Sequence, residues 1–218
     1  MALTTGKRPP YLLALIAAVA LAAAFGFVAR ETMQEESRIG GWDARINLGV
    51  LPHQSAGRDA AARAITFLAS HFFLFGATAA VVALLHNYGH PKGALAFASV
   101  IFGGMVINMA LKLSFHRTRP ALWPAIATES TYSFPSGHTT MATVFYGSLA
   151  ALVFLLTRKH RWRVLAVAGA AFMVTLIAGT RVYLGAHWLT DVVGGALIGL
   201  FWVFAAITAR IRIRHKSR

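Results

Sequence analysis

Lys112-Leu-Ser-Phe-His-Arg-Thr-Arg119-Pro120, Tyr132-Ser-Phe-Pro135-Ser136-Gly137-His138-Thr139 and Thr180-Arg181-Val-Tyr-Leu-Gly-Ala-His187-Trp-Leu-Thr-Asp191 are three polar clusters set in a greasy sequence. Apolar runs long enough to cross a bilayer lie between and around them. Basic residues, two histidines and a carboxylate therefore recur where membrane spans end. Such groups are costly at membrane depth, so they mark function. The remaining chain reads as a frame that brings the three clusters together.

Composition supports that reading. The 218 residues are 57% hydrophobic and 13% charged, whereas a soluble domain carries about 25% charged residues. Cysteine is absent, which excludes disulfides, thiol catalysis and Cys-ligated metals.

Working outward from the clusters, six apolar runs have helical length: Tyr11–Ala29, Ala64–Leu85, Gly93–Leu111, Thr139–Leu156, Val164–Gly179 and Val192–Ala209. A backbone exposed to lipid must satisfy its own polar groups, so each run is expected to be a helix. The first run is longer than the apolar core of a signal peptide and reads as a transmembrane helix. The expected fold is all-α: a six-span polytopic bundle. Residues 1–63 would supply the first span plus an external interfacial segment, and residues 64–218 a five-helix catalytic membrane core with a basic cytoplasmic tail. Gly40-Gly41 and Pro52 are expected to break the interfacial segment, with a short helix capped by Ser55 after them. Gly103-Gly104, Gly194-Gly195 and Gly199 would let helices approach closely.

Charge sets the orientation. With the N-terminus cytoplasmic, the inner loops and tails hold Lys7, Arg8, Lys92, Arg158, Lys159, Arg161, Arg163, Arg210, Arg212, Arg214, Lys216 and Arg218. All seven acids, Glu31, Glu35, Glu36, Asp43, Asp59, Glu129 and Asp191, fall outside. This satisfies the positive-inside rule and puts both termini in the cytoplasm. The net charge of +14 then reads as a topology anchor with anionic-lipid contact, and no nucleic-acid partner is expected. All three clusters land on the outer face. Trp42, Trp123, Trp188 and Trp162 suit the interface belts.

The clusters have a chemistry in common. Lys112, Arg119 and Arg181 suit a multiply charged anion such as phosphate, because arginine presents a planar fork and lysine a point charge. Pro135-Ser136-Gly137-His138 precedes an apolar helix, where unpaired backbone N–H groups bind anions and Gly137 allows close approach. Ser136 could cap the helix or donate to phosphate. His187 and Asp191 are four residues apart at a helix start and share a face, so the carboxylate can orient the imidazole. A metal held by His138 and His187 is the rival use. Few outer carboxylates and three repelling cations argue against it, so neither metal nor cofactor is expected.

The ordered pattern Lys-x6-Arg-Pro, Pro-Ser-Gly-His, Arg-x5-His-x3-Asp resembles that of the type 2 phosphatidic acid phosphatase family, whose core is shared with vanadium haloperoxidases. Lys112, Arg119, Pro120, Pro135, Ser136, Gly137, His138, Arg181, His187 and Asp191 carry the match. Thr180 departs from it, standing where the family usually has serine and keeping the hydroxyl. The resemblance implies a phosphohistidine mechanism. His187 would be the nucleophile, Asp191 its orienter and His138 the general acid and base, while Lys112, Arg119, Ser136, Gly137 and Arg181 hold the phosphate.

The implied protein is a lipid phosphatase of a bacterial inner membrane with a periplasmic site. Its substrate would be undecaprenyl diphosphate, phosphatidylglycerol phosphate or phosphatidic acid, with undecaprenyl diphosphate favoured. Two alternatives remain: a phosphotransferase acting on an acceptor such as lipid A, and a non-catalytic anion or lipid-phosphate translocator. A translocator would need cations in the inner halves of the spans, which hold none. Oligomeric state is left open, and Glu31–Arg63 is expected to act as a lid or substrate rim.

Overall fold

The computed structural model describes residues 11–34, 38–122 and 131–216. Lys7, Arg8, Glu35, Glu36, Trp123, Glu129 and Arg218, used above for orientation or interface placement, lie outside them, as do the side chains of Arg214 and Lys216. The described chain is helical: α1 (Leu12–Thr32), α2 (Arg38–Val50), a 3-10 turn (Leu51–His53), α3 (Ala56–Phe67), α4 (His71–Asn87), α5 (Pro91–Phe115), α6 (Gly137–Leu156), α7 (His160–Tyr183) and α8 (Leu189–Lys216). Six stretches, one of them α3 and α4 together, are long and apolar enough to cross a membrane. The all-α, six-span expectation holds, and the chain is an integral membrane protein.

The central element is α6, half of whose apolar window lies inside the bundle, against 11% for α7. It packs on α5, α7 and α8, and α1 lies along α8. Small residues make the α6–α8 contact possible. A Cβ added at Gly195 would sit 2.8 Å from the Ser136 carbonyl oxygen, and one at Gly199 would sit 2.6 Å from the Thr143 Cβ. Both distances are too short for a side chain, so these glycines let α8 close onto the start of α6. Phe25, Phe115 and Phe134 stack above that contact, with the Phe25–Phe134 centroids 5.6 Å apart and Phe115–Phe134 at 5.1 Å. Aromatic pairs at such separations stabilise beyond their buried area.

Two local expectations are corrected. The second span is not one helix. It stops at Phe67 and restarts at His71, because Ser70 adopts an extended conformation and its Oγ accepts from the Phe73 N–H at 3.2 Å. Tyr146 on α6 donates to the Leu68 carbonyl at 3.1 Å, satisfying a group that the break exposes. The break sends α3 against α7 and α4 against α5. Likewise Gly40-Gly41 does not interrupt the chain, since α2 runs from Arg38 through both glycines to Val50. They fall in its first turn, where N–H groups lack helical partners anyway. Pro52 does end α2, inside the 3-10 turn. Ser55 stands at the N-cap of α3 as expected, although its side chain makes no capping bond. The expected boundary after Arg63 falls within α3.

Candidate active site

The three clusters converge at one end of the bundle. Lys112 closes the last turn of α5, and His116 ends that helix in the left-handed region (φ 51°). The chain then runs without regular structure through Arg117 and Arg119. The second cluster folds back beside it, with the Ser133 N–H donating to the Arg117 carbonyl at 2.8 Å. The third cluster is tied on by the Ser136 N–H, which donates to the Asp191 carbonyl at 3.0 Å. These backbone links make one unit of segments far apart in sequence.

His187 lies at the centre, 1% exposed. Its Nδ1 is 3.3 Å from Asp191 Oδ2, and its Nε2 is 3.2 Å from Arg119 Nη1. The first bond assigns the proton to Nδ1, leaving the Nε2 lone pair beside a guanidinium. Burial pushes the His187 pKa down to about 4; the charges of Arg119 and Arg181 act in the same direction, and Asp191 opposes them. The imidazole is therefore neutral at physiological pH, the form a nucleophile requires.

Asp191 is fully buried and well supplied with donors. Its Oδ2 accepts from the Trp188 N–H at 2.9 Å and from the Ser133 hydroxyl. It is also paired with Arg117. A buried carboxylate this heavily bonded holds one orientation, and so fixes the ring.

The expected phosphate ligands surround this pair. Arg119 is braced by carbonyls: Nε donates to Thr131 at 2.7 Å, Nη1 to Ala186 at 2.7 Å and Nη2 to Tyr132 at 3.1 Å. Lys112, 5% exposed, donates to the Tyr132 carbonyl. Arg181 is 1% exposed, and its Nη1 donates to Thr66 Oγ1 on α3 at 3.1 Å. Ser136 is the N-cap of α6, but its hydroxyl does not cap the helix. It accepts from Thr139 Oγ1 at 3.2 Å. Gly137 opens α6 facing α5, and a Cβ there would lie 3.3 Å from Asn108 Oδ1. Asn108 donates to Thr140 Oγ1 at 3.0 Å, so its role within the bundle is to join α5 to α6. His138 is half-buried in the first turn of α6. Thr180 keeps its hydroxyl within α7, bonded to the Ile177 carbonyl at 2.6 Å. His116 packs edge-on against Tyr132, 4.5 Å between centroids.

Sequence reasoning missed a second layer. Arg117 bridges Asp191 and Asp43, with Nη2 2.8 Å from Asp43 Oδ2. Asp43 and Asn47, 2% and 0% exposed, reach in from α2. Asn47 donates to the His187 carbonyl at 3.1 Å. The signal was available: Asp43 and Asn47 are four apart and share a face of any helix drawn through them.

An apolar crevice of about 510 Å³ opens between α3 and α7, lined among others by Arg58, Ala61, Ile65, Phe172, Leu176 and Thr180.

A neutral, carboxylate-oriented histidine thus lies beside Arg119 and the buried Arg181 at one end of a membrane bundle. The chain belongs to the PAP2 superfamily, whose family model matches residues 93–214, more than half of the sequence. It is similar to phosphatidylglycerophosphatase B of Bacillus subtilis (strain 168), 34% identical over 145 residues that cover 64% of this chain and 69% of that protein. It is also similar to lipid A 1-phosphatase of Rhizobium etli, 33% identical over 131 residues, 56% of this chain and 51% of that protein. Its fold matches the crystal structure of a transmembrane PAP2 type phosphatidylglycerolphosphate phosphatase from Bacillus subtilis with a TM-score of 0.84, 27% identity and coverage of 90% of this chain and 97% of that one. The protein is thus a membrane enzyme of the phosphatase class, as the motif pattern implied.

Proposed function

We propose that the protein removes phosphate from a membrane lipid at the extracytoplasmic face of a bacterial inner membrane, through a phosphohistidine on His187. The observation that carries this reading is the Asp191–His187–Arg119 line. One ring nitrogen is held by a carboxylate, and the other sits beside a guanidinium. A phosphorus approached by Nε2 would bring its oxygens within reach of Arg119. Lys112, Arg181 and the start of α6 at Ser136 and Gly137 supply further positive potential. Phosphoryl transfer through a loose transition state needs mainly positioning and charge stabilisation, which such a set provides. His138, in the first turn of α6, protonates the leaving oxygen and then assists water in clearing the phosphohistidine.

The apolar crevice between α3 and α7 supports a lipid rather than a soluble ester, because it offers the substrate's chains an apolar seat on the helix that carries Arg181. Phosphatidylglycerol phosphate is placed first among substrates, ahead of undecaprenyl diphosphate and phosphatidic acid. The support is the likeness to the Bacillus subtilis phosphatidylglycerolphosphate phosphatase across nearly its whole length.

The test is phosphate release in detergent with EDTA present, from a panel of those three lipids and lipid A, with His187→Ala alongside. Release should be fastest from phosphatidylglycerol phosphate, and fall by about 10³-fold or more in the variant. No release from any lipid by folded protein would overturn the reading in favour of a translocator. The absence of cysteine makes the orientation testable as well. In intact cells a membrane-impermeant thiol reagent should label Tyr132→Cys at the site end and spare Arg158→Cys at the other.

A further inference from the structure

The segment that precedes the family-matched region reaches the centre of the site. Asp43, on α2, makes three contacts there. Its Oδ1 accepts from the Thr190 N–H at 2.9 Å, its Oδ2 accepts from the Thr190 hydroxyl at 2.5 Å, and Oδ2 also pairs with Arg117 Nη2 at 2.8 Å. Arg117 turns its other nitrogen to Asp191 Oδ1 and to Thr190 Oγ1, the latter at 2.7 Å. The planar guanidinium thus spans two buried carboxylates, one from α2 and one from α8, in the bidentate manner that arginine allows and lysine does not. Thr190 is in the first turn of α8, where N–H groups lack helical partners. Asp43 therefore acts as a cap supplied by a distant helix, and it holds the turn that carries Asp191. Asn47, one turn further along α2, holds the His187 carbonyl at 3.1 Å.

The electrostatics require both members of the pair. A lone arginine on Asp191 would cancel the charge that stabilises a cationic His187. With Asp43 on its far side, the three groups carry a net single negative charge facing the imidazole. Two carboxylates without the arginine would repel and separate.

We propose that Asp43 and Arg117 are positioning residues for the phosphoryl-transfer step: together they hold Asp191 against His187 and set the charge that His187 experiences. This makes α2 part of the reaction machinery rather than a lid or rim over it. The inference rests on the phosphohistidine reading above.

The experiment compares kcat, KM and the pH dependence of kcat/KM for wild type, Asp43→Asn, Arg117→Gln and Asp43→Glu, each first shown folded by its elution and melting behaviour in detergent. Asp43→Asn and Arg117→Gln should each lower kcat by about tenfold or more, as loss of an outer partner to a reacting group does, and leave KM within about twofold. Asp43→Glu should recover part of the loss. The pH profiles separate positioning from simple scaffolding. Besides Asp191, the charges facing His187 are Arg119 and Arg181, which all variants retain. Removing the Asp43 charge makes the surroundings of His187 less negative, so the acid limb moves to lower pH. Removing the Arg117 charge moves it to higher pH. Shifts of about half a unit in opposite directions are expected.

Equal kcat in all variants, or loss of activity with no movement of the acid limb in either direction, would overturn the proposal. If Asp43→Asn does not fold, Arg117→Lys decides the matter: it keeps the charge but cannot span both carboxylates, and wild-type kcat there would overturn the proposal. An inactive wild type would instead defeat the phosphatase reading itself, which keeps the two failures distinct.

Discussion

The two ends of this bundle are both rich in arginine and use it in opposite ways. At the site end Arg119 and Arg181 are held by acceptors from other segments: carbonyls of the second and third clusters for Arg119, and Thr66 on α3 for Arg181. Arg181 is 1% exposed. At the other end Arg161 and Arg212 are exposed, lying over the rings of Trp162 and Tyr11 at 5.4 and 5.3 Å. Arg163 caps the nearby end of α6, donating to the carbonyls of Thr157 and Phe154 at 2.9 and 3.0 Å. Burying a cation is costly unless surrounding dipoles replace its water. The site end supplies those dipoles from several separate segments, and the other end leaves its cations at the boundary. The two ends therefore differ in the number of separate segments committed to holding an arginine, which is the contrast the proposed phosphate-binding role requires.

Among changes to these arginines, the largest effect should come from exchanging the buried one for a lysine. Arg181→Lys keeps the charge, loses the fork and leaves Thr66 without its donor. Phosphate release should fall by about 10²-fold or more, as when a single preorganised donor is removed from a transition state. If Arg181→Lys retains wild-type kcat/KM, the site end is no more exacting than the other and the contrast fails.

A smaller effect sharpens the contrast through pH. In the proposed mechanism the neutral form of His187 is the reactive one, and burial lowers its pKa to about 4. Protonation removes the nucleophile, so kcat/KM should hold as pH falls from 7 to 5 and then drop about tenfold per unit below about 4. An exposed histidine would instead lose activity from about 6.5 downward. Activity that falls from pH 6.5, on a substrate whose own ionisation has been allowed for, would mean that water reaches the ring.

How much of this was legible beforehand follows the same division. The six spans could be read because lipid forces apolar runs into helices, and the family because the spacing within its motifs is local. Arg119, Ser136 and Asp191 needed no knowledge of what they touch. Arg117 could not be assigned, since its importance comes from Asp43, 74 residues away in sequence. Asp43 was hidden by a local rule applied at the wrong place. Gly40-Gly41 reads as a break, which leaves Asp43 and Asn47 without the helix that gives them a common face. The split between α3 and α4 was equally hidden, because an apolar run looks the same whether or not Ser70 turns inside it. In both places a long-range partner decided the outcome, Thr190 for α2 and Tyr146 for the α3–α4 break, and no window of sequence contains both halves of such a pair.

The smallest effect is the one most able to break the comparison. Arg163→Ala removes a cation that stabilises the end of α6 through two carbonyls and the Phe154 ring, 4.9 Å away. A cation at a helix C-terminus contributes about 0.3–1 kcal/mol at an exposed site, so the melting temperature in detergent should fall by a few degrees. Turnover should stay within about twofold of wild type, because α6 is anchored at its far end by Gly195 and Gly199 on α8 and by the Asn108–Thr140 bond to α5. These anchors are made where Ser136, Gly137 and His138 emerge, so fraying of the opposite terminus has no route to the site. If Arg163→Ala cuts kcat tenfold while leaving the fold intact, the two ends are coupled along α6, and the helix is a lever rather than a post.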